Sequence, residues 1–309
     1  PFTVLSCDNL PENGALVRKI VLELAQLIDP SLAQWIAVNA RFPATMVDRI
    51  TPATTPADIA RVTAITGRYD AAPVLHEPFR QWAIEDHFVD GLRPNFAAVG
   101  VDMVDEVTPF EHMKLRMLNG SHSALAYLGY LAGYETISDT VADPAFTSYL
   151  RQLWSEIIPT AHAPKGYNLH DYADALLDRY ANPIIRHRTW QIAMDGSQKL
   201  PQRLLSSLEA NIAAGKPAPG LCLAVAAWMY YVGGIDQSGR PIEVKDPMAE
   251  RLRALSDAAN TPADKVAALL SLSEIFPPEL AETLKAPVTE AAQILWTQGA
   301  RQAALQVVT

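Results

Sequence analysis

Phe2-Thr3-Val4-Leu5-Ser6-Cys7-Asp8-Asn9-Leu10-Pro11-Glu12-Asn13-Gly14 places a β-rich, largely apolar run directly before a polar turn. The run Phe2 to Cys7 predicts a buried strand of a parallel sheet, which needs neighbouring strands. After Gly14, Leu16, Ile20, Leu24 and Leu27 recur at helical spacing and stop before Pro30. The result is a strand–loop–helix unit with its polar residues at the strand's carboxyl end, where open α/β sheets bind ligands. A second extended segment is predicted over Ala44 to Ile50, closed by Thr51-Pro52. A third apolar-rich stretch runs from Phe96 to Val107, and between the two lies a mixed pattern, Val74 to Phe88, around Trp82.

Beyond Pro109 the character changes. Pro and Gly punctuate a series of predicted helices near 110–133, 143–157, 168–180, 183–194, 200–214, 219–232, 247–258, 262–272 and 287–305. The fold class is therefore the remnant of an α/β layer over 1–108, followed by a large, mainly α-helical domain over 109–309.

Composition narrows the function classes. The 309 residues carry 25 Lys and Arg against 34 Asp and Glu, a net charge of −9, with no basic block. That balance argues against a nucleic-acid partner. Cys7 and Cys222 lack zinc or redox spacing, so a reduced, cytoplasmic chain is expected. The first residues show no basic n-region or cleavage pattern. The most apolar run, Leu221 to Val232, falls short of the roughly 18–20 residues a bilayer span needs, so no membrane partner is expected. GxGxxG, Walker A, HExxH and GxSxG motifs are absent from the sequence, and no metal cluster is visible.

The helix expected after Pro109 carries Glu111-His112-Met113-Lys114-Leu115-Arg116-Met117-Leu118-Asn119-Gly120-Ser121-His122. At about 100° per residue, Lys114 and Asn119 lie about 140° apart, and Asn119 and His122 about 60°. One broad face can present all three, with Glu111 one turn before Lys114. A desolvated Lys114 would serve as an acid/base group, Asn119 would donate to a developing alkoxide and His122 would orient a neighbouring hydroxyl. The alternative is a solvated Lys/Arg/Asn face with a core histidine. Asn9 after Asp8 is equally readable as a turn former. Asp48-Arg49 in an apolar strand is either functional or a mutual ion pair. The basic groups around Arg186, His187, Arg188 and Lys199 are either an anion site or a helix-terminal charge cluster.

The order of three segments is specific: Ser6 to Gly14, then Phe42-Pro43-Ala44-Thr45-Met46-Val47-Asp48-Arg49-Ile50-Thr51-Pro52, then Lys114, Asn119 and His122. Together they resemble the mannitol dehydrogenase family of polyol-specific long-chain dehydrogenases and reductases, which includes fructuronate reductases. Ala40 stands where that signature usually has a bulkier apolar residue. The resemblance implies a Rossmann-type sheet as the α/β part, with NAD as cofactor and no metal. It implies Lys114 as general acid/base and Asn9 with Asn119 as the pair that polarises the reacting C–O group. His122 then orients substrate, Glu111 carries a proton path to solvent, and Lys199 binds substrate. Asp48 lies beside substrate and nicotinamide, and Asn9 with Asp48 contacts the cofactor.

A basic residue that polyol members place two turns before this lysine appears here as Gln191. The string His187 to Lys199 is similar to the sugar-acid members, with His187 and Arg188 as further substrate-binding residues, because a carboxylate favours cationic donors. The implied partner is a small sugar acid, with D-mannonate/D-fructuronate interconversion ahead of mannitol or arabinitol 2-dehydrogenation. The resemblance also implies that the amino-terminal Rossmann portion with its glycine-rich loop is missing, a domain needed in cis, and that this chain alone turns over little. The competing class is a non-catalytic helical interaction protein.

Overall fold

The computed structural model describes residues 1–308, which fall into two compact units. The first comprises Pro1–Lys114 with Ala163–Lys165, and the second Leu115–His162 with the described residues from Gly166 onward.

In the first unit, helix α1 (Asn13–Ile28) and helix α2 (Pro30–Asn39) precede strand β1 (Thr45–Asp48). Helix α3 (Pro56–Thr66), strands β2 (Gln81–Glu85) and β3 (Asp102–Val104), and helix α4 (Thr108–Met113) follow. The sheet runs β1-β2-β3 and is mixed: β1 pairs antiparallel with β2, and β2 pairs parallel with β3. This corrects the expected parallel sheet. Phe2 to Cys7 is not a strand either; its pairing is a single parallel bridge, Thr3 to Arg41, because only Val4 N–H to Arg41 O and Arg41 N–H to Phe2 O are made.

Helices α2 and α3 begin where side chains can cap them. Asp29 accepts from Ser31 N–H before Pro30, and Thr55 forms a reciprocal capping box with Asp58 before Pro56. Ala25, Ala33, Ile36 and Ala40 pack together with Val21, Leu22 and Phe42. The stripe Leu16, Ile20, Leu24 and Leu27 is the exposed side of α1.

The second unit is helical. It contains α5 (Ser121–Leu131), α6 (Ile137–Ala142), α7 (Pro144–Ile157), α8 (Leu169–Tyr180), α9 (Thr189–Ile192) and α10 (Gly196–Leu200). These are followed by α11 (Ser206–Ala213), α12 (Pro219–Val232), α13 (Ala249–Asp257), α14 (Pro262–Leu270), α15 (Pro278–Gln298) and α16 (Ala300–Gln306). Helix α12 is apolar on every side because it is the core, and it packs against α15 and α5. Trp228, Tyr231, Tyr127, Tyr149, Phe146 and Phe276 are fully buried around it. Each large apolar side chain so buried contributes roughly 1.5–3 kcal/mol. No helix among the described residues is long and apolar enough to cross a membrane.

Three helical expectations change. The segment 183–194 is helical only over Thr189–Ile192, because Asn182 Oδ1 accepts from Ile184 N–H in a turn and Arg186 adopts a left-handed backbone. Helix α15 starts nine residues before Pro287 and runs through it. Two π-turns, Lys114–Gly120 and Pro201–Leu205, interrupt helices read as continuous. Spacing at 100° per residue therefore does not hold across 114–120, since a π-turn bonds i to i+5.

Candidate functional site

In the first unit, the geometry grows from Asn13. This side chain is buried; its Nδ2 donates to Asp8 O and Thr45 O at 2.9 Å each, and its Oδ1 accepts from Thr45 N–H at 3.0 Å. Thr45 Oγ1 donates to Ser6 O at 2.6 Å. The loop carrying Asn9 is thus clamped to the start of β1. Gly14 permits the closeness, since a Cβ there would meet Phe42 O at 2.5 Å and Ala44 N at 2.7 Å. Glu85 completes the frame: its carboxylate accepts from Ala44 N–H at 2.9 Å and from Val107 N–H, the residue before α4, at 3.4 Å.

Lys114 closes α4 and is buried. Its Nζ donates to Asn9 Oδ1 at 2.6 Å and to Val47 O at 2.5 Å. The exposed Asn9 keeps its amide nitrogen unpartnered among the described residues. Glu111, one turn before Lys114, is buried and accepts from Glu12 N–H at 3.2 Å. Burial raises its carboxyl pKa from the ordinary value; the Glu12 N–H bond and the Lys114 charge oppose that rise, and the Glu12 and Glu85 charges add to it. Asp48 ends β1 as a buried residue. Arg49 is not its ion-pair partner; its guanidinium donates to Phe79 O at 3.0 Å and Pro78 O at 3.4 Å.

In the second unit, His122 is buried at the start of α5. Its ring stacks on Tyr180 with centroids 5.1 Å apart and meets His187 edge-on at 4.7 Å. Tyr180 is fixed by donating to Leu118 O at 2.9 Å and by a 2.9 Å bond with Ser121 Oγ. The His187 carbonyl accepts from Ile137 N–H at 3.0 Å, beside a Thr136–Arg188 bridge. Among the described residues, His122 Nε2 and His187 Nδ1 are buried with no hydrogen-bond partner. Burial, helped by the His187, Arg203 and Arg179 charges, holds the His122 pKa well below its ordinary value. Burial and Lys199 hold that of His187 down to about 4. Both rings are therefore neutral near pH 7. Asn119 is also buried, and its side chain has no partner among the described residues.

Lys199 lies on α10, whose start is pinned by Ser197: its N–H and Oγ donate to Asp246 at 2.8 and 2.6 Å. The Lys199 Nζ donates to Met194 O at 2.6 Å and lies 3.5 Å from Asp195. Burial and Arg203 lower its pKa. His122, His187 and Lys199 thus form one group. Arg188 is turned to Glu135 at 3.7 Å in an exposed ion pair.

Residues 106–296 match the mannitol dehydrogenase C-terminal domain, and residues 1–97 match the mannitol dehydrogenase Rossmann domain. The chain belongs to the mannitol dehydrogenase family. The expectation of a missing Rossmann portion, needed as a further domain in cis, is corrected by the second match: that part is represented in this chain, with a short three-stranded sheet.

A D-mannonate oxidoreductase of Escherichia coli is 51% identical over 304 residues, covering 97% of this chain and 62% of that protein. A mannitol 2-dehydrogenase of Aspergillus fumigatus is 41% identical over 285 residues, covering 91% of this chain and 56% of that protein. A solved structure of Pseudomonas fluorescens mannitol 2-dehydrogenase, a ternary complex with NAD and D-mannitol, superposes with a TM-score of 0.87 at 38% identity. That likeness covers 99% of this chain and 62% of the other. The chain spans less than two thirds of the length of these relatives.

One group of the second unit was not singled out from the sequence. Arg203 follows Lys199 by one helical turn, and the spacing Lys199-x3-Arg203 was the available signal.

Proposed function

We propose that the protein is an NAD-dependent oxidoreductase that interconverts a sugar acid, D-mannonate, with its keto form, D-fructuronate, using a lysine acid/base and no metal. The observation that carries this reading is the buried Lys114 Nζ, which donates to Asn9 Oδ1 and Val47 O, with Glu111 one turn away. When bound, NAD would supply the hydride acceptor for oxidation and, in its reduced form, the hydride donor for reduction. Asn9, whose exposed amide nitrogen has no hydrogen-bond partner among the described residues, can donate to a nicotinamide carboxamide and so fits the cofactor, and the family resemblance assigns Asp48 beside it.

Lys114, as the neutral amine, takes the hydroxyl proton of the substrate carbinol and gives it back in reduction. Glu111 is suited to relay that proton, because burial raises its carboxyl pKa. The family resemblance assigns Asn9 and Asn119 as donors to the reacting oxygen, and such donors contribute a few kcal/mol when charge develops on it. His122, His187 and Lys199 hold the remainder of the substrate, with Arg188 as an outer cation. The similarity to a D-mannonate oxidoreductase at 51% identity supports the acid over a neutral polyol.

Replacing Lys114 by Met in the complete protein tests the role. The expected result is a fall in kcat of about 10²–10⁴-fold with the urea unfolding midpoint unchanged. A near-normal kcat would refute the assignment.

A further inference from the structure

The second unit holds a cation that has no ion pair among the described residues. Arg203 lies in the π-turn Pro201–Leu205 and is partly buried. Its guanidinium carries five N–H donors. Among the described residues its one side-chain hydrogen bond runs from Nη1 to Ser123 Oγ at 3.0 Å. The acidic groups whose charge bears on this region are engaged elsewhere, Asp195 beside Lys199 and Asp246 on Ser197. A partly buried guanidinium with one side-chain hydrogen bond and no ion pair among the described residues keeps N–H donors available to an anion.

The position is built rather than incidental. Gly120 and Arg203 meet backbone to backbone, and a Cβ on Gly120 would sit 2.5 Å from Arg203 O. That contact fixes the second π-turn against the segment that carries Asn119, His122 and Ser123. Among the described residues, His122 Nε2 and His187 Nδ1 are buried there without hydrogen-bond partners, and the side chain of Asn119 makes no hydrogen bond. A fork of cationic donors beside orphaned neutral imidazoles calls for one molecule that brings a carboxylate and several hydroxyls.

We propose that Arg203 reads the carboxylate of an aldonate or uronate substrate, with Ser123 holding the guanidinium in place. This rests on the sugar-acid reading above and names the residue that makes the acid preferred over a neutral polyol.

The test is Arg203→Gln in the complete protein, with Arg203→Lys beside it. For D-mannonate, kcat/KM is expected to fall on the order of 100-fold, carried mainly by KM, because one partner of a desolvated charge pair is lost. For D-mannitol, which lacks the carboxylate, the change should stay within about threefold. Arg203→Lys should recover part of the loss, since a point charge replaces the fork. Equal losses on both substrates, or none on D-mannonate, would overturn the inference.

Calorimetric titration with D-mannonate separates this claim from the activity. If the wild type binds D-mannonate without oxidising it and Arg203→Gln abolishes binding, the enzymatic reading fails and the carboxylate role stands. If the wild type does not bind D-mannonate, or the variant binds it equally well, the role is refuted.

Discussion

Gly120→Ala isolates the close approach that seats Arg203. In a helix interior, Gly to Ala usually stabilises by about 0.8–1.0 kcal/mol, through backbone entropy and propensity. Here the new Cβ would lie 2.5 Å from Arg203 O and 3.6 Å from Leu204 Cδ2. The first contact is backbone and cannot swing away as a side-chain end would. A separation near 3.3–3.6 Å is normal for carbon against a carbonyl oxygen, so the π-turn must retreat by most of an ångström. Overpacking of this kind costs about 1–3 kcal/mol, which exceeds the propensity gain. The net expectation is destabilisation on the order of 1 kcal/mol, read from urea unfolding followed by tryptophan fluorescence. Turnover of D-mannonate should fall as well, since Arg203 and Ser123 are pulled apart. A neutral or stabilising substitution would refute the steric argument, because propensity alone would then have decided the sign.

Two further outcomes follow from buried groups. The Glu156 carboxylate accepts from Gly220 N–H and Leu221 N–H at 2.9 Å each and so caps α12 from α7; Glu156→Ala should cost about 2–4 kcal/mol in urea unfolding, and Glu156→Gln less because one acceptor oxygen remains. Equal stability of the alanine variant and the wild type would contradict the cap. With its folded pKa held near 4 against about 6.5 unfolded, His187 binds fewer protons in the native state across that window. Its contribution is therefore complete above about pH 6.5 and is lost as pH falls toward 4, by up to on the order of 3 kcal/mol. His187→Asn should flatten the pH dependence of the urea midpoint relative to wild type between those limits, and parallel profiles would sink the assignment.

The helical half was legible because Pro and Gly mark its breaks and α12 is apolar enough to be recognised as core. The two π-turns were not, since an extra residue per turn leaves no trace in hydrophobic spacing. Helix α3 was missed although its capping box, Thr55 with Asp58, stands in the sequence. The strand read at Phe2 to Cys7 fails because composition reports what a segment suits, while a strand requires a partner along its length; Arg41 supplies only one bridge. In α1 the conspicuous leucines face outward, and Val21, Leu22 and Ala25 make the contact with α2.

In the first unit, helical spacing points to Lys114 and Glu111 and the family resemblance adds Asn9; Lys114 to Asn9 is a direct hydrogen bond. Asn13, which holds that loop, was seen only as turn chemistry. Arg203 escapes a sequence reading because its role depends on its making no ion pair among the described residues, and a sequence does not display which charges are left over after folding.

The most direct measurement is NADH formation by the complete protein with D-mannonate, D-mannitol and D-arabinitol side by side. The account expects the sugar acid to be oxidised with the highest kcat/KM, through the cationic group of Lys199 and Arg203. Preference for a neutral polyol would contradict the sugar-acid assignment, and NAD reduction with none of the three would contradict the proposed activity itself.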